Sequence, residues 1–289
     1  MTAALARYLP GLELDALRLC VWLGLLALIF VPLEKLCAQR PHKVLRAGFF
    51  TDVVYYFLNN LLPKLLLIAP LSFLAKALRT VEPAWRDSWA SGMPLGMRLA
   101  AALLVADFGS YWGHRAMHRF PTLWRFHAVH HSAEEMDWLV NTHAHPLDLF
   151  FTRLCGLVPM YALGLAQPSG SALDPAPALV AIVGAVWGFL IHANVRWRFG
   201  WLEWLVSTPA FHHWHHTKDG PEYANKNYAA LLPLMDLCFG TFYIPGRQWP
   251  ASYGADTPMA SGLAGQLLQP FAPVRSALPQ SRDTAISGA

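Results

Sequence analysis

Charge is scarce in this sequence. Of its 289 residues only 14% are Asp, Glu, Lys or Arg, whereas an ordinary soluble domain carries about 25%. The length would suit roughly two soluble domains of about 150 residues each, but the chain has too little polar surface to cover them. Cysteine is scarce too. Cys20, Cys37, Cys155 and Cys238 include no C-x-x-C pair, which argues against a disulfide framework and a thiolate metal site. They read as small buried hydrophobes. There is no phosphate-binding Gly-rich loop, no G-x-S-x-G elbow, no dinucleotide fingerprint and no internal repeat. The net charge of +4 is small and scattered, which argues against a nucleic-acid partner.

What is present is apolar surface and imidazole. Hydrophobic residues make up 55% of the chain, with 16 Phe, 12 Trp and 9 Tyr, which excludes intrinsic disorder. There are 13 histidines, and all but His42 lie between His114 and His216.

A membrane helix needs about 20 predominantly apolar residues. Leu17 to Leu33 (LRLCVWLGLLALIFVPL) nearly qualifies, flanked by Asp15 and by Glu34 and Lys35. It does not read as a signal peptide, because a strong basic start and an A-x-A-like site are both missing. Asp52 to Ala75 is a second apolar run, interrupted by Asn59, Asn60, Pro63 and Lys64. It reads either as one kinked span or as two shorter in-plane pieces. Leu99 to Gly113, Leu147 to Ala166 and Ala178 to Ala193 follow. The last two are joined by QPSGSALDPAP, which has no Lys or Arg; a hairpin with its tip away from the cytoplasm is expected, since cytoplasmic loops collect those residues. The segment from Lys76 to Arg98 holds four basic residues and breaks the alternation, leaving the number of spans open by one or two. Gly109/Gly113 and Gly184/Gly188 have the G-x-x-x-G spacing of closely packed helices, within one chain or between two.

The expected fold class is all-α: a polytopic helical membrane protein with a cytoplasmic His-rich helical cap holding a dinuclear metal site. Residues 1–98 would supply N-terminal membrane helices and a connection. Residues 99–245 would form the histidine-box domain, including a membrane hairpin over 147–193. Residues 246–289 would be a C-terminal tail contributing little chemistry.

The histidines fall into boxes. HRAMH places His114 and His118 at i and i+4; HAVHH places His127, His130 and His131 at i, i+3 and i+4; HHWHH repeats that spacing with His212, His215 and His216. On a helix each set shares a face, so its rings can point at one ion. His213 is rotated about 100° from His212 but lies three residues before His216, so it too can be a ligand. His143 and His145 diverge on a helix and align on an extended segment, which Pro146 favours at His145. His192, taken alone, reads more readily as a core histidine, and His42 as a surface one. Eight imidazoles in three boxes exceed what one ion accepts, so two ions are expected; zinc, iron, copper and nickel all suit imidazole.

The order HRAMH, FHAVHH, HAN and TPAFHHWHH resembles the fatty acid hydroxylase/sterol desaturase superfamily of membrane di-iron oxygenases. The resemblance runs from about Asp107 to Phe242. The segment Asn225 to Phe242 (NKNYAALLPLMDLCFGTF) is similar to the segment after the last box in this superfamily, including its alkylglycerol monooxygenase branch, and HPLD at His145 to Asp148 to the HP-x-D/E of sterol desaturases and related hydroxylases. The resemblance implies metal-ligand roles for His114, His118, His127, His130, His131, His212, His215 and His216, extends them to His192 and His145, and implies no catalytic residue beyond the ligands. His143, His213, Asp107 and Asn194 are further ligand or ligand-orienting candidates, with Asn227 and Asp236 behind them. The cofactors implied are two iron ions, which zinc can replace in a purified sample, with O2 as co-substrate. The reaction implied is hydroxylation or desaturation of an unactivated C–H site of a fatty acyl, sterol or ether-type lipid drawn from the bilayer.

Electrons must then come from a separate donor, a cytochrome b5-type or ferredoxin-type protein with its reductase, because the chain has no flavin, nucleotide or iron–sulfur fingerprint. Arg115, Arg119, Arg125, Arg196, Arg198 and Lys218 are candidates for its docking surface, or ordinary positive-inside residues. The rival reading is a non-enzymatic membrane metal-binding or metal-transport protein, which would need ionisable residues in the centres of its apolar runs. Bis-histidine haem ligation fits poorly, because axial ligands approach from opposite haem faces.

Overall fold

The structure is a computed structural model that describes residues 2–80, 89–90, 92–165, 176–260 and 262–273. The described residues are helical, with only the isolated bridges Ala38–Val195 and Thr217–Tyr253 in extended pairing. Helix α1 covers Thr2–Cys37 and α2 covers Phe49–Thr80. The second apolar run is therefore one helix, with Pro63 and Pro70 inside it, rather than two pieces. Within these helices Gly11–Cys37 and Phe49–Leu78 are long and apolar enough to cross a membrane. Their outer faces are apolar and uncovered, as at Leu28, Leu36, Phe50 and Phe73, which suits a hydrocarbon surrounding.

Helix α3 is Leu95–Arg119, α4 Pro121–His131, α5 Pro146–Ala162 and α6 Ala176–His192. The turn-rich tip expected between the last two lies at 166–175, outside the described residues, as do 81–88 and 91 of the Lys76–Arg98 connection. Short helices complete the chain: α7 is Pro209–His215, α8 Leu234–Cys238 and α9 Leu263–Leu268.

Close packing of α3 on α5 depends on glycine. A Cβ on Gly109 would run into the carbonyl group of Cys155, one on Gly113 would lie 2.9 Å from Cys155 Cβ, and one on Gly156 would lie 2.8 Å from Ser110 Oγ. The first G-x-x-x-G pair thus serves packing within the chain, whereas Gly184 has open space beside it. All four thiols are free. None is fully buried, and Cys20 and Cys238 are exposed, which corrects the reading of the cysteines as core residues.

Polar groups fasten α1 and α2 to the rest. Glu34 Oε1 accepts the backbone N–H of Trp138 and of Asn194, both at 2.8 Å. The Arg46 guanidinium, between the two helices, bridges Asp137 at 2.7 and 2.8 Å and Asp52 of α2 at 2.7 Å. Asp137 also caps the 3-10 turn Trp138–Thr142 through the N–H groups of Leu139 and Val140. Around these contacts Leu26, Phe30, Tyr56, Trp138, Leu139 and Phe189 form one apolar core. The C-terminal end of α1 and the N-terminal end of α2 therefore meet the histidine-bearing half at one level.

Candidate metal centre

Four helix ends deliver the histidines. His114 and His118 stand one turn apart at the C-terminal end of α3. Extended Phe120 and Pro121 at the first helical position start α4, where proline's missing N–H costs nothing. That helix carries His127, His130 and His131. His192 closes α6. Thr208 caps α7 by accepting from Phe211 N, Pro209 follows, and the helix presents His212 and His215 before ending at His216.

Nine imidazoles converge into two clusters, each with its ligand atoms within 4.8 Å of one another. The first holds His114, His118, His127, His131 and His215; the second holds His130, His192, His212 and His216. They share a wall, where the His131 and His216 rings stack with centroids 4.5 Å apart.

The ring orientations show which nitrogens face inward. His114 Nδ1 donates to Tyr228 O at 2.7 Å, His130 Nδ1 to His143 O at 2.9 Å, His192 Nδ1 to Gly188 O at 2.7 Å and His215 Nδ1 to Lys226 O at 2.8 Å. His127 Nδ1 donates to Asp148 Oδ2 at 2.9 Å. Each of these five rings therefore carries its Nδ1 proton outward and turns its Nε2 toward the others. His114 Nε2 and His127 Nε2 are 3.0 Å apart, and His192 Nε2 and His130 Nε2 are 3.3 Å apart. His130 and His192 are both held neutral by burial, so their facing Nε2 lone pairs, with no proton between them, repel unless a cation lies among them. The buried Nε2 atoms of His118 and His215 and Nδ1 atoms of His212 and His216 have no hydrogen-bond partner. Burial, then the neighbouring imidazoles, holds His131, His212, His215 and His216 well below the usual histidine range and His130 down to about 3. The rings are neutral, as metal ligation requires. An all-imidazole set of this kind fits iron, zinc, copper or nickel.

Several expected site residues lie elsewhere. His145 stands outside both clusters: its Nδ1 accepts Leu147 N–H at 3.1 Å, capping α5, and its Nε2 donates to Leu267 O at 3.2 Å. Both nitrogens are thus occupied, which corrects its expected ligand role. His213 donates from Nε2 to Ala193 O and accepts the Tyr253 hydroxyl at Nδ1, 2.8 Å away. His143 is held between Asp52 Oδ1 and Ser132 Oγ. Asp107 accepts the N–H groups of Leu231 and Leu232 and touches no imidazole. Asp236 holds the N–H groups of Tyr228 and Ala229 at 2.8 Å, and Asn227 ties Phe211 O to Tyr243 O. These three residues shape the loop that supplies the Tyr228 carbonyl. Asn194 bonds to Arg40 O and to His42. His42 also lies 3.3 Å from Glu34, so it is half-buried and paired rather than a surface residue.

Sequence reasoning named Asp148 only as the end of the HPLD motif and gave it no role, although a carboxylate three residues after His145 at the start of an apolar run was a signal. It also missed Tyr253, in a tail expected to contribute little. Among the candidate docking cations, Arg198 is committed to Glu203 at 2.8 and 2.9 Å, and Arg115 donates to Tyr111 OH.

Paired imidazole clusters able to hold metal ions are thus carried beside two helices long and apolar enough to cross a membrane. Residues 99–241 match the family model described as fatty acid hydroxylase. The chain is 33% identical over 264 residues to the ornithine lipid hydroxylase OlsE of Rhizobium tropici, covering 87% of this chain and 74% of the relative. It is 28% identical over 182 residues to alkylglycerol monooxygenase of Xenopus tropicalis, covering 63% of this chain but only 36% of that protein. It is 29% identical over 204 residues to methylsterol monooxygenase 2-2 of Arabidopsis thaliana, covering 65% and 66%. No solved structure matches. The chain belongs to the fatty acid hydroxylase family, and with it to the lipid hydroxylases and monooxygenases.

Proposed function

We propose that this protein is a multi-pass membrane oxygenase that uses two iron ions and O2 to hydroxylate or desaturate an unactivated C–H site of a lipid. The observation that carries the reading is the convergence of nine imidazoles into two adjoining clusters. One cluster would hold an ion through His114, His118, His127, His131 and His215, the other through His130, His192, His212 and His216. When bound, the metal pair supplies O2 activation. The chain's own contribution is to fix the imidazoles through their outward N–H groups, to exclude water by burying the site, and to admit an apolar chain from the side of the membrane helices. An acyl chain of a membrane lipid is the favoured substrate, since the ornithine lipid hydroxylase matches over most of this chain. A metal carrier is disfavoured, because the central apolar runs Leu19–Leu33 of α1 and Val53–Pro63 of α2 contain no Asp, Glu, Lys, Arg or His.

The histidine clusters face the cytoplasm in this reading, because both flanking segments, 114–146 and 194–228, carry Arg or Lys. A separate cytochrome b5-type or ferredoxin-type donor supplies the electrons. Metal analysis with oxygen uptake on detergent-purified protein tests the reading. Two irons per chain, with lipid-dependent oxygen consumption and an oxidised lipid seen by mass spectrometry, are expected. Stoichiometric zinc together with failure of iron-reconstituted protein to oxidise any lipid would overturn it.

A further inference from the structure

The acceptors behind the cluster imidazoles are not all of one kind. His114, His130, His192 and His215 donate to backbone carbonyls. Among the described cluster residues only His127 donates to a carboxylate, that of Asp148. Both side chains are buried, 4% and 3% exposed. Asp148 is also fixed in place. It sits in the first turn of α5, its N–H bonds to His145 O at 2.9 Å, and Thr152 Oγ1 lies 3.4 Å from its other oxygen.

A carboxylate accepting an imidazole N–H draws that proton toward itself and makes the opposite nitrogen a stronger metal donor; a neutral carbonyl does so less. The four-histidine cluster has no such support among the described residues. His130 and His192 donate to carbonyls, and the Nδ1 atoms of His212 and His216 have no hydrogen-bond partner. The clusters thus differ in ligand number and in charge behind the ligands.

We propose that Asp148 makes the two metal positions unequal: as the positioning residue behind His127 it holds the ion of the five-histidine cluster more tightly, so the four-histidine cluster gives up its ion first. The proposal rests on the reading that both clusters hold metal.

The test is chelator-driven iron release from full-length protein in detergent, reconstituted with two 57Fe per chain. Release in two phases of equal size is expected, and His216→Ala should remove the fast phase only. Asp148→Asn keeps the size and an acceptor oxygen but removes the charge. It should accelerate the slow phase about 10–100-fold and shift one of two Mössbauer doublets, with Asp148→Glu restoring both. Single-phase release from the wild type, or an unchanged slow phase in folded Asp148→Asn, would overturn the proposal. Single-phase release from the wild type overturns the proposal even where the variant does not fold. A wild-type protein that never takes up two ions would instead overturn the two-metal reading.

Discussion

His143 is gripped by Asp52, a residue of α2 with no solvent exposure, while its carbonyl accepts the Nδ1–H of His130. A membrane helix is thereby two bonds away from a cluster imidazole. Asp52 also holds Arg46. Removing one partner of a buried ion pair costs about 3–5 kcal/mol, and Asp52→Asn should destabilise the protein by an amount in that range. Thermal unfolding in detergent is the check; an unchanged midpoint would mean that the pairing contributes nothing.

His145→Ala separates a cap from a ligand. With both ring nitrogens spent on Leu147 N–H and Leu267 O, its loss should leave two metal ions per chain. Stability should fall by about 1 kcal/mol, as for other N-cap losses. His130→Ala should retain one ion. Metal content by mass spectrometry distinguishes the two.

Glycine positions at the α3–α5 contact should be intolerant. Gly156→Ala places a methyl group 2.8 Å from Ser110 Oγ, and overpacking of this kind costs about 1–3 kcal/mol. Gly184→Ala, with nothing within 4 Å, should be neutral or stabilising. Paired melting curves of the two variants test the contrast.

The His42–Glu34 pair predicts a pH dependence. Hydrogen bonding to Glu34 raises the His42 pKa against the opposing effect of burial. The folded value lies above the unfolded one of about 6.5, so the pair's contribution is full below that pH. It is lost as pH rises through the folded value. Stability measured from about pH 6.5 upward should decline less in His42→Gln than in the wild type.

Helix existence was legible, because long apolar runs and i, i+3, i+4 histidine spacing are local signals. The sorting of ligands was not. His130 and His131 are neighbours in sequence, yet they enter different clusters, because successive side chains diverge by about 100° and the wall between the clusters lies between them. The position of His145 was half legible: Pro146 after it marks a helix start, which makes a capping role available. Tyr253 gave no local signal, since its contact with His213 depends on the Thr217–Tyr253 bridge bringing the chain back across α7.

The five outward N–H bonds of His114, His127, His130, His192 and His215 end on the protein itself. These rings are aimed by the polypeptide before any ion arrives. Ions entering this site meet five rings already oriented, so little side-chain ordering has to accompany binding.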